Sequence, residues 1–148
     1  MSPPHRPATG PVDYAAFVQL HRHGYERYAR ARLGDRSLAT TVVAQVLRRA
    51  ELNWSAALRG DPAALTWDVL RESVTTARAE AVDAAADDLH RALPDRPADA
   101  ALLHERLGLT PKAAAALMGL GEPELQVQLR AARRILAERD PGGRNGGA

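Results

Sequence analysis

Cysteine is missing from all 148 residues of this chain, so disulfides and thiolate metal sites are excluded and a reducing cytoplasm fits. Aromatic residues are scarce at 4%, and the 45% apolar fraction is rich in alanine, which suits closely packed helices with thin apolar faces. No apolar run reaches the roughly 18 residues that a membrane helix needs, so no membrane partner is expected. The opening MSPPHRPATGP lacks the apolar centre of a signal peptide and reads as a disordered lead. Sustained apolar–polar alternation with turn pairs is also missing. The expected fold class is therefore all-α.

What is present begins with charge. The net charge is only +2, but it is unevenly spread. Arg22 to Arg59 holds eight arginines against Glu26, Asp35 and Glu51, a balance of +5. Asp61 to Asp95 holds three arginines against eight acids, a balance of −5. From Leu125 onward five arginines oppose Glu138 and Asp140, a balance of +3. Basic ends around an acidic middle point to nucleic-acid or partner docking at particular faces, although any single run also reads as a solvated helix surface.

Taken in order, Asp13 opens a helix whose stripe is Tyr14, Phe17, Val18, His21, Tyr25, Tyr28 and Arg32, and Leu33-Gly34 ends it. Ser37 is the expected cap of a second helix with Val42, Val43, Val46, Leu47, Ala50 and Trp54 inward and Arg48 and Arg49 off that stripe. Asp61-Pro62 starts a third, carrying Leu65, Trp67, Val69, Leu70, Val74 and Ala77. Its pattern runs on through Leu89 to Leu93, and a helix from Thr66 to Leu93 would be about 42 Å long at 1.5 Å per residue. Pro94 and Pro97 then punctuate the chain before a helix from Ala98 to Leu107. Past the last helix, Pro141 to Ala148 is a glycine-rich tail.

Leu107 to Leu136 has the outline of a helix-turn-helix. Thr110-Pro111 is a helix start, and Ala114, Leu117 and Met118 form a short apolar stripe. Gly119 supplies a left-handed stop and Leu120 an apolar pin. A second helix begins near Pro123, with Leu125, Leu129, Ala132 and Leu136 inward. Gln126, Gln128, Arg130, Arg133 and Arg134 are then free to meet DNA, glutamines at base edges and arginines at phosphates. An ordinary helical hairpin in an all-α core has the same spacing.

Enzyme signals are poor. His21 and His23 are two positions apart on a helix, about 200° around its axis, and cannot share a metal. His90 and His104 have no carboxylate or histidine at ligand spacing that stands out, and they read as ordinary surface or boundary histidines. Asp87-Asp88 reads as a charged helix face. No active site, metal or cofactor is expected.

Taken together, the helices resemble the small extracytoplasmic-function group of sigma-70-type RNA polymerase sigma factors. In the first half the resemblance is carried by Phe17-x-x-Leu20, Tyr25, Tyr28-Ala29, Leu33-Gly34-Asp35, Val42-Val43, Ala50 and Trp67. In the second it is carried by Ala92-Leu93-Pro94-x-Arg96, Gly108-Leu109-Thr110, Leu117-Met118-Gly119-Leu120 and Leu129-x-x-Ala132-Arg133-x-x-Leu136. It implies a lead over 1–12, a polymerase-docking helical domain over 13–82, a promoter-reading helix-turn-helix domain over 83–138 and a tail over 139–148. It also implies RNA polymerase core and promoter DNA as partners, with a regulatory protein partner as a further expectation. Thr40, Thr41, Gln45, Arg48 and Arg49 would face polymerase. This chain departs from the family pattern at Leu38 to Thr41, which replace an acidic run, and at Glu124, Gln126, Val127 and Gln128 in the reading helix. Those departures leave two readings open: a sigma-like transcription regulator, or a sigma-derived interaction module that no longer reads promoters.

Overall fold

The computed structural model describes residues 11–80 and 88–139, and among them every regular element is helical. The expected lead, the tail after Arg139 and the boundary at Val82 fall wholly or largely outside the described residues. The chain divides into two compact units, Met1–Ala86 and Asp87–Ala148.

In the first unit, α1 (Pro11–Leu33) starts two residues before Asp13, on a proline whose φ is already helical. It stops at Gly34, whose φ of 69° only glycine adopts freely, with Gly34 N donating to Arg30 O at 2.8 Å. The next helix, α2 (Arg36–Leu52), is capped by Asp35 and not by Ser37. Asp35 Oδ1 accepts from Leu38 N at 3.0 Å, and an ionised cap also suits the helix dipole. Trp54 leaves α2 and opens a short helix, α3 (Trp54–Ala57). The fourth, α4 (Pro62–Glu80), has Asp61 Oδ1 accepting from Ala63 N at 3.0 Å and Ala64 N at 3.4 Å.

All six aromatic residues of the chain lie in this unit, and they decide its packing. Tyr28 and Trp67 meet at 4.5 Å between ring centres, Tyr25 and Trp67 at 6.1 Å, Phe17 and Trp54 at 5.1 Å. Such rings bury large apolar areas and hold α1 against α3 and α4. Tyr14 Oη donates to Leu47 O at 2.6 Å, joining the start of α1 to the end of α2. Tyr28, Val43, Leu47 and Trp67 are buried as expected, whereas Phe17 is half-buried and Leu65 is exposed. Leu65 stands two positions before Trp67, about 200° around the helix, so only one of them can face the core. Arg32 is buried, its Nη1 donating to Tyr28 Oη at 2.9 Å, and Arg78 Nη1 donates to Arg32 O at 2.6 Å.

In the second unit a short helix, α5 (Leu89–Ala92), follows a bend at Asp88 and ends at extended Leu93, so the helical pattern expected through Leu93 is interrupted at Asp88. Leu93 is extended, as a residue before proline must be, and α6 (Asp95–Ala101) begins directly after Pro94. Pro97 is tolerated because its position in the first turn has no backbone acceptor waiting. The Ala98–Leu107 expectation therefore starts three residues late. Its end also differs, because Leu102–Arg106 is a π-helical turn closed by Leu107 N donating to Leu102 O at 2.9 Å. Residues 97 to 103 are buried without a break, which makes this segment the centre of the unit, packed against α8.

Two further helices complete the unit, α7 (Pro111–Met118) and α8 (Glu122–Arg139). Thr110 Oγ1 accepts from Ala113 N at 3.0 Å, the cap expected from Thr110-Pro111. Gly119 has φ 72° and ψ 33°, and Leu120 N reaches back to Ala115 O at 2.9 Å. Gly121 N donates to Glu124 Oε1 at 2.8 Å, the reciprocal half of a capping box. The result is a helix, a tight turn and a second helix sharing the core of Ala114, Leu117, Met118, Leu125, Leu129 and Ala132. No helix among the described residues is long and apolar enough to cross a membrane.

Candidate nucleic-acid interface

The outer surface of α8 is set by what its inner surface buries. Leu125, Leu129 and Ala132 are in the core, so the opposite side carries Val127, Arg130 and Arg134, all exposed. Arg130 and Arg134 are four apart and project from one face, and neither has an ion-pair partner among the described residues. Arg133 is on the flank, its Nε donating to Glu105 Oε2 at 3.0 Å on the π-helical turn. That pair is exposed, so it adds little stability, but it offsets the positive charge that Arg133 offers to a phosphate.

Gln126 and Gln128 are half-buried and lie about 200° apart around α8, flanking the core side to left and right. A single flat surface laid against α8 can therefore meet one of these glutamines, not both. Gln126 shares its flank with Arg133 and leads toward Arg130, whereas Gln128 shares its side with Ile135. Glu124 is occupied in capping α8 through Gly121 N, so its carboxylate is a part of the helix start.

In the first unit, Thr40, Thr41, Gln45, Arg48 and Arg49 are all exposed along α2. Thr41, Gln45 and Arg48 follow one another at helical spacing, and Leu52 continues the row with 78% of its surface exposed. Arg49 lies to the side, lining an apolar groove of about 300 Å³ with Val46, Ala57 and Leu65.

The histidines are less ordinary than their spacing indicates. His90 Nε2 donates to Asp99 Oδ1 at 2.6 Å, with side chains 6% and 0% exposed, so His90 has a buried carboxylate partner that its sequence neighbourhood does not reveal. Nine residues separate the two, across the break at Pro94, which no helical period spans. His104 Nδ1 donates to Leu109 O at 2.7 Å and closes the chain after the π-helical turn. His21 is buried against Phe17 and Tyr25, and burial holds its pKa below the usual histidine value. Burial likewise raises the Tyr25 hydroxyl, with the Asp61 charge adding to it. Among the described residues no group of three or more histidines, cysteines or carboxylates could hold a metal ion.

Compared with known proteins, the chain matches no family model, and no curated protein matches it in sequence.

Proposed function

We propose that this protein is a sigma-factor-like regulator of transcription initiation whose C-terminal unit is a helix-turn-helix that lays α8 into the major groove of promoter DNA. The observation that carries the reading is the turn itself. Left-handed Gly119, the returning Leu120 amide and the Gly121–Glu124 capping bond present α8 with Arg130 and Arg134 outward. A helix entering a groove needs this combination of a fixed start and cationic side chains trailing over phosphates. Because Glu105 engages Arg133, Arg130 and Arg134 are the principal phosphate contacts in this proposal. Gln126, on the same flank as Arg133, is the candidate base reader, with adenine as the matching edge.

A salt titration of fluorescent duplex binding tests it. Each phosphate contact contributes about 0.9 to the slope of log affinity against log salt, so Arg130→Ala with Arg134→Ala should lower the slope by about two units. Gln126→Ala should weaken only the preferred site, by about 1–3 kcal/mol. Wild-type protein without salt-dependent duplex binding would remove the proposal.

A second reading is favoured by the α2 surface. Thr41, Gln45, Arg48 and the exposed Leu52 form a face with neutral and basic character, suited to a protein partner, and the sigma resemblance makes polymerase core the first partner to test. Co-purification of polymerase subunits, lost on Arg48→Glu, supports docking. A regulatory partner alone on this face would make the chain an interaction module.

A further inference from the structure

We infer that the cleft between α5, the π-helical turn and the last turn of α8 is a binding site for a small phosphorylated ligand of nucleotide type. The cleft measures about 370 Å³, within the range that holds small molecules. Three arginines, Arg91, Arg106 and Arg139, are among its lining residues, against the single acid Asp88. Arg106 Nη2 and Asp88 Oδ1 are 3.3 Å apart, both well exposed, which leaves Arg91 and Arg139 with no ion-pair partner among the described residues. Its remaining wall is apolar, formed chiefly by Leu89 and Leu136.

Each feature has a consequence for the ligand. Cations in the last turn of a helix are favoured by its dipole, so Arg139 alone would call for no ligand. Convergence with Arg91 from α5 and Arg106 from the π-helical turn is different: Asp88 offsets Arg106, and the two remaining like charges among the described lining residues favour an anion between them. Guanidinium groups bind phosphate oxygens through paired N–H donors, which favours a phosphate-bearing anion over a single carboxylate. Inorganic phosphate would satisfy the arginines and leave the leucine wall empty. A diphosphate carrying a planar base fills both parts.

The same cleft is poorly placed for the duplex proposed above. Arg139 is nine positions from Arg130, about 180° around α8, so a duplex against Arg130 and Arg134 lies on the other side of the helix. The phosphate source is therefore a free ligand, and the site is independent of the promoter-binding reading.

Calorimetric titration of the full chain at low ionic strength, using ADP, adenosine and inorganic pyrophosphate as probes, tests this directly. One ADP should bind per chain, with adenosine and pyrophosphate each about tenfold weaker or more. Arg91→Gln and Arg139→Gln should each reduce ADP affinity by about tenfold or more, the effect of losing a charge-assisted hydrogen bond. Asp88→Asn should strengthen ADP binding severalfold by releasing Arg106, and Arg36→Gln on the first unit should leave it unchanged. All four positions are exposed, and unchanged far-ultraviolet circular dichroism confirms intact folding. Absence of ADP binding, equal affinity for pyrophosphate and ADP, or unaltered binding by the double variant Arg91→Gln, Arg139→Gln would overturn the inference. So would a duplex that displaces ADP and loses its own affinity in that double variant, since the cleft would then belong to the DNA footprint.

Discussion

Replacing His90 by phenylalanine should destabilise the second unit by about 3 kcal/mol, the upper end of the cost of depriving a buried acceptor of one hydrogen-bond donor, because the acceptor is a carboxylate. The figure rests on Asp99, whose side chain is wholly buried while its Oδ1 receives His90 Nε2 at 2.6 Å. Phenylalanine fills the imidazole space but offers no donor, so the carboxylate keeps its desolvation cost and loses a short hydrogen bond. Asp99→Ala should cost less, about 1–3 kcal/mol, because the imidazole left behind has no obligatory charge. The double variant, His90→Phe with Asp99→Leu, should recover much of the loss, since a buried pair exchanged for apolar groups is close to neutral. Urea denaturation of each variant gives the three numbers and their coupling. Two probes separate the units: tryptophan fluorescence reports only the first, which holds Trp54 and Trp67, while far-ultraviolet circular dichroism reports both. The loss should appear in the dichroism transition. A His90→Phe cost below about 1 kcal/mol would show that Asp99 is satisfied without His90, and the pair would lose its structural role.

Other expectations follow from single contacts. His21 has a folded-state pKa depressed by burial, so the unfolded chain binds its proton more readily; stability is complete above the ordinary histidine pKa of about 6.5 and falls as pH drops below it. Denaturation at stepped pH should show that slope, and His21→Phe should flatten it. Tyr25 Oη is buried with no hydrogen-bond partner among the described residues, so Tyr25→Phe should be neutral or stabilising by up to about 1–3 kcal/mol; a clear loss would mean the hydroxyl is bonded. Gly119→Ala forces a side chain into φ 72° and should raise the energy of the turn by about 1–2 kcal/mol, read as a lower urea midpoint.

The parts of this protein legible in its sequence are those held by bonds between near neighbours. Thr110 capping Ala113 N, Asp61 capping Ala63 N and Gly119 ending α7 each span two to four residues, so residue type and order suffice to locate them. The all-helical class followed for the same reason, as did the core positions of Tyr28, Val43, Leu47 and Trp67. Even here competition between neighbours shifted details: Asp35 displaced Ser37 as a cap, and Trp67 excluded Leu65 from the core. Tertiary structure decided what depends on which surfaces meet. The His90–Asp99 bond crosses a proline break, Arg133 finds Glu105 28 residues earlier, and Arg91, Arg106 and Arg139 reach one cleft from three separate elements. No periodicity joins such positions, because their proximity is a product of helix packing. The separation of Gln126 from Gln128 and the shared face of Arg130 and Arg134 are, by contrast, helical period alone; what packing added to α8 is the Glu105 carboxylate that engages Arg133.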